Sequence, residues 1–91
     1  MALVTMYTTL WCPYCIAAKR LLTSLGVPFD EVALDAKPEL RQQLSEENGG
    51  WKTVPMVFVG DRFVGGFTEL RQLEQSGELF TLLHRPHAAT G

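Results

Sequence analysis

Cysteine and histidine are both scarce: the chain has two of each among 91 residues. Zinc usually takes four ligands, and His84 and His87 fall in what reads as the tail, away from either cysteine. A metal site within one chain is therefore not expected. Charge of one sign is also lacking. Eight basic side chains stand against ten acidic ones, for a net charge of −2, with the signs interspersed. Nothing calls for nucleic acid as a partner, and no run of like charges suggests an interaction tail. No segment approaches the roughly 18 apolar residues that span a bilayer, and the opening stretch MALVTMYTTLW has neither a basic start nor a long apolar core. The expectations are no signal peptide, no membrane partner and a cytoplasmic location. Repeats, linkers and low-complexity stretches are missing too. The length reads as one domain over residues 1–85, followed by a frayed tail at 86–91. Apolar residues make up 46% of the chain, enough for a single core, although so short a chain is only modestly stable.

Along the chain, LVTMYT at residues 3–8 is apolar and β-branched and reads as a strand. A helical pattern follows through IAAKRLLTSLG, where Cys15, Ala18, Leu22 and Leu25 recur on one face and Gly26 stops it. FDEVAL, residues 29–34, is a second strand. Pro38 opens a second helix that runs toward Gly49 and Gly50. Strands at about 56–59 and 62–64 flank Gly60-Asp61, a two-residue hairpin turn with glycine first. Thr68 is placed to cap a third helix, with a short fourth at about 77–84. A strand–helix–strand start implies a right-handed crossover and a parallel pair, and the late hairpin adds antiparallel strands. The fold class is therefore α/β: a four-stranded mixed sheet flanked by helices, βαβαββα.

What is there, among so few cysteines, is that both lie in WCPYC at residues 11–15. A bridge three residues long closes a tiny loop and constrains the unfolded chain little, so the pair is a poor staple. Close pairs in a reducing compartment are more often redox-active or metal-binding. Two cysteines on a helix can also be plain core residues. The strand–helix junction argues otherwise. With Pro13 at the first helical position, Cys12 is at or near the N-cap, where free backbone N–H groups and the helix dipole favour a thiolate. Cys12 is the expected nucleophile. Cys15 lies on the core-facing stripe and is expected to be less exposed and closer to an ordinary thiol. That asymmetry suits one sulfur that attacks and one that resolves the mixed disulfide.

YTTLWCPYCIAAKRLL resembles the active-site segment of glutaredoxins, whose dithiol members carry Cys-Pro-Tyr-Cys. KTVPMVFVG is similar to that family's Thr-Val-Pro loop and following strand, and VGGFTEL to its Gly-Gly motif before the third helix. The likeness covers roughly residues 3–84. It implies a thioredoxin-like fold and a glutathione-dependent thiol–disulfide oxidoreductase that reduces protein disulfides and glutathione mixed disulfides, acting as a monomer with no bound metal. By position it implies that Cys12 attacks and carries glutathione, and that Cys15 resolves. Thr53 and Val54 would lie along the ligand, Val54 pairing its backbone with the cysteinyl part. The bond before Pro55 would be cis. Gly66, Phe67 and Thr68 would hold the γ-glutamyl carboxylate on free N–H groups of the helix start. Tyr14 would flank the sulfur, or else pack beside Trp11.

The sequence departs from the family pattern in two places. Thr9 stands where many relatives have lysine, and Phe67-Thr68 where relatives often have Cys-Asp. Arg41 would then take the glycine carboxylate, with Gln42 and Lys52 as rivals, and Thr68 or Glu69 would replace the aspartate toward the ligand's ammonium group. Two other readings stay open. YTT, WC and NGGWKTVP are also similar to mycoredoxins, which use mycothiol, and reduction by thioredoxin reductase is a variant of that reading. The other is a dimer carrying an iron–sulfur cluster through Cys12 and glutathione, against which Pro13 and the second cysteine count.

Overall fold

The computed structural model describes residues 3–84. The elements run β1 (Val4–Thr8), α1 (Pro13–Ser24), β2 (Phe29–Ala33), α2 (Pro38–Glu47), β3 (Met56–Val59), β4 (Arg62–Gly65), α3 (Phe67–Ser76) and α4 (Glu78–His84). The sheet order is β2-β1-β3-β4. β1 pairs in parallel with β2, while β1–β3 and β3–β4 are antiparallel. This is the four-stranded mixed sheet of a thioredoxin-like fold. The tail expected at 86–91, the boundary at 85 and His87 lie outside the described residues.

Alternation along β1 explains how the layers form. Val4, Met6 and Thr8 are buried on one face, and Thr5 and Tyr7 are half-buried on the other. The first face joins Ala18 and Leu22 of α1, Leu70 of α3 and Leu79, Leu82 and Leu83 of α4 in the main core. The second face carries a smaller cluster in which Leu34, Leu44 and Met56 meet Tyr7, Trp51, Phe58 and Phe63. Short α4, absent from the seven-element pattern, closes the main core.

One detail differs from expectation. The capping residue of α3 is Gly66 rather than Thr68, and the helix begins at Phe67. Glu69 fixes this start: its Oε1 accepts from the Gly66 N–H at 2.9 Å, so the acid at the third helical position satisfies the backbone of the capping residue itself. At the hairpin, Gly60 has φ 60 and Asp61 has no positive φ, as a turn with glycine first requires.

Leu22 is fully buried between α1 and the sheet. Leu22→Ala is expected to destabilise the protein by roughly 2–5 kcal/mol through lost burial and a residual cavity, read as a lower urea midpoint at unchanged slope.

Candidate active site

β1 delivers the chain to the first turn of α1, and Cys12 occupies the N-cap in extended conformation, φ −128 and ψ 101. Pro13 follows at the first helical position, where its missing N–H costs nothing. The Cys15 N–H is then free to donate to Cys12 Sγ, at 3.0 Å. A sulfur is doing what a serine or aspartate oxygen does at other helix starts. The thiol of Cys12 also reaches the Val54 carbonyl, at 3.5 Å. Both thiols are free, with Cys12 7% exposed and Cys15 1%.

Both sulfurs are buried, Cys15 the more deeply, and Cys15 departs from expectation. Cys15 is not close to an ordinary thiol. Burial, followed by its hydrogen bond and charge interaction with Cys12, pushes it up to about 12, against the lowering effect of the Thr9 backbone and of Lys19. At neutral pH Cys15 is held as the protonated partner.

Beside the sulfur lies a groove of about 330 Å³. It brings together Tyr14 from α1, Thr53 and Val54 from the loop before β3, and Gly66, Phe67 and Thr68 from the start of α3. Pro55, next along that loop, is buried, and the Val54–Pro55 peptide is cis. Close approach of β4 to α3 depends on Gly65, whose φ is +122 and where a Cβ would sit 2.9 Å from Glu69 Cγ. Tyr14 is exposed and tilts toward Phe67, ring centroids 6.3 Å apart, rather than packing with Trp11, which is 95% exposed.

Arg41 does not line this groove. It lines a neighbouring one of about 250 Å³ with Gln42 and Lys52, and its guanidinium donates to the Lys52 carbonyl at 3.1 Å. Trp51 belongs to both grooves and packs edge-on against Phe63, centroids 5.2 Å apart. Trp51 was missed in the sequence because nothing but its place just before Lys52-Thr53 marks it. Glu69 lines the first groove with Thr68, so a carboxylate stands at one end and two cations beyond the other. On the opposite side of Cys12, Leu10, Trp11, Pro13 and Ile16 form an exposed apolar hollow. His84 is spent on α4, its Nδ1 2.8 Å from the Phe80 carbonyl. Among the described residues no three His, Cys, Asp or Glu side chains gather as a metal site, and no helix is long and apolar enough to cross a membrane.

Residues 4–64 match the family model described as Glutaredoxin. A glutaredoxin of Pseudomonas aeruginosa is 51% identical over 80 residues, covering 88% of this chain and 94% of the relative. The solution structure of glutaredoxin from Brucella melitensis superposes with a TM-score of 0.81 at 43% identity, covering 91% of this chain and 89% of that one. A buckwheat glutaredoxin–glutathione complex superposes with a TM-score of 0.84 at 26% identity, covering 90% and 76%.

Two outcomes follow from the raised Cys15 thiol. Brief iodoacetamide treatment of the reduced protein at pH 8 should label Cys12 alone, with Cys15 labelled only after unfolding, as peptide mass spectrometry reports. The second concerns stability. An unfolded cysteine ionises near its ordinary value of 9.0 and the folded one at about 12. The unfolded chain therefore releases its proton first, and stability fully present below pH 9.0 is lost as pH rises toward about 12. Urea midpoints across that range should fall for the wild type and fall less for Cys15→Ser.

Proposed function

The chain belongs to the glutaredoxin family, and from that premise we propose that this oxidoreductase is glutathione-dependent, reducing glutathione mixed disulfides and protein disulfides through Cys12 and Cys15. The observation that carries the reading is the position of Cys12 Sγ. It accepts from the helix N-terminus while touching the Val54 carbonyl at the edge of the groove. A disulfide laid along that edge meets the sulfur that attacks.

In the proposed reaction Cys12 attacks as a thiolate. One bond of the substrate disulfide is exchanged for a Cys12 mixed disulfide, and the other half leaves as a thiol. With a glutathionylated substrate, glutathione stays on Cys12. The backbone of Val54 pairs with its cysteinyl unit beside Thr53, on the loop that carries the cis bond to Pro55. Its γ-glutamyl carboxylate meets the backbone N–H groups of Phe67 and Thr68 at the positive end of the α3 dipole, while the N–H of neighbouring Gly66 is held by Glu69. Glu69 is the acid nearest for the ammonium group, in place of the aspartate that Thr68 replaces. Arg41, across Trp51, is the cation for the glycine carboxylate, and Thr9 supplies none. A second glutathione then releases the product. With a protein disulfide, Cys15 attacks Cys12 instead and closes the intramolecular bridge. The buckwheat relative's glutathione complex supports the choice of thiol. We place the protein in the cytoplasm, a reducing compartment in which a close cysteine pair is kept available as thiols.

The test is reduction of a small glutathione mixed disulfide coupled to glutathione reductase and NADPH. Wild type and Cys15→Ser should both be active, and Cys12→Ser should fall to the uncatalysed rate. Cys15→Ser should lose reduction of protein disulfides. Inactivity of the first two with intact free thiols would overturn the glutathione assignment, leaving mycothiol or thioredoxin reductase as the electron source.

A further inference from the structure

Lys19 follows Cys15 by four residues on α1, so the two side chains are neighbours on one helix face. Opposite them, β1 and β2 present Thr8 and Glu31. The register sets Glu31 beside Met6 and Phe29 beside Val4, and Val4, Met6 and Phe29 all belong to the core beneath α1. Glu31 and Thr8 therefore point into the same layer as Cys15. The Thr8 hydroxyl, 2% exposed, donates to Glu31 Oε2 at 2.7 Å, and the same oxygen takes Lys19 Nζ at 3.0 Å. A surface lysine ordinarily swings free and contributes little. This one is held at its tip by a carboxylate that is itself pinned from below.

Glu31 stays ionised well into acid because the Thr8 hydroxyl and then Lys19 hold its carboxyl below the usual range. The ionisable groups acting on Cys15 are Cys12, which opposes loss of its proton, and Lys19, which assists it. Once Cys12 is bound in a mixed disulfide it is no longer a thiol, and its opposition falls away. Burial then remains, opposed by the Thr9 backbone and by Lys19, the one charge among them. The Cys12 step proposed above uses neither Lys19 nor Glu31.

We propose that Lys19, tethered through Glu31 to Thr8, is a positioning residue for the resolving step, holding positive charge beside Cys15 as that sulfur attacks. The inference rests on the reading of Cys15 as the resolving thiol. In the step, Cys15 gives its proton to solvent. Its sulfur electron pair forms the Cys15–Cys12 bond, the bond from Cys12 to the partner sulfur breaks, and the partner leaves as a thiolate that takes up a proton. Cys15 is oxidised and the partner sulfur reduced.

The experiment is stopped-flow reaction of the reduced protein with 5,5′-dithiobis(2-nitrobenzoate), followed across pH and salt. The first thionitrobenzoate released reports attack by Cys12, and a second, reagent-independent phase reports attack by Cys15. Lys19→Met should leave the first phase unchanged and slow the second about three- to tenfold, the scale of half to one pH unit. Lys19→Arg should restore it, and added salt should slow the wild type more than Lys19→Met. An unchanged second phase in Lys19→Met overturns the proposal. So does equal slowing in Lys19→Arg, which would mean packing rather than charge. Absence of any second phase in the wild type would overturn the resolving role of Cys15 itself, and the proposal with it.

Discussion

The hydrogen bond from the Cys15 N–H to Cys12 Sγ, 3.0 Å long, is the contact on which the rest of the site depends. A helix start leaves backbone N–H groups without partners, and a side chain at the cap must satisfy them. Here that side chain is a thiol. Pro13 begins the helix and removes one N–H that would otherwise need a partner. The same turn that aims Cys12 at the N–H groups sends Cys15 one turn inward, against the sheet, where burial keeps its proton on. One local arrangement thus sets one sulfur at the helix start and the other in the core.

The groove is a different kind of construction. No single stretch of chain contains it. α1 contributes Tyr14, the loop before β3 contributes Thr53 and Val54, and the start of α3 contributes Gly66, Phe67 and Thr68. They meet because β1 and β3 are adjacent in the sheet and β4 turns sharply into α3 at Gly65 and Gly66. The Glu69 carboxylate that caps α3 also lines the groove, so one side chain serves the helix and sets the charge at that end. The loss of a lysine at Thr9 leaves the positive charge to Arg41 and Lys52, beyond Trp51.

Beneath α1, opposing effects are set close together. Burial makes Cys15 a reluctant thiolate, while a lysine one turn away on the same helix works in the other direction. The ion pair of Lys19 with Glu31 is too exposed to count for much in stability. Its interest lies in where it fixes the charge.

Much of this was legible in the residues. Apolar periodicity located every strand to within a residue or two, Pro13 and Pro38 marked the two helix starts, and Gly60-Asp61 marked the hairpin. The order of elements led to a mixed sheet because parallel neighbours need a crossover and a two-residue turn cannot make one. The places of Cys12 at the helix start and Cys15 on its buried face followed from their positions in one turn of helix. These features are local: each depends on backbone geometry within a few residues. Tertiary structure decided what depends on distance. It made Gly66 rather than Thr68 the cap, because Glu69 folds back to the Gly66 N–H. It raised Cys15 above an ordinary thiol through burial by residues far along the chain. It set Trp51 between two grooves and put Arg41 in the second of them. It also brought Glu31 and Thr8 under Lys19, because β2 lies parallel to β1 in a register that turns both side chains toward α1. Hydrogen-bond partners and burial are properties of the packed chain, and no pattern confined to one segment encodes them.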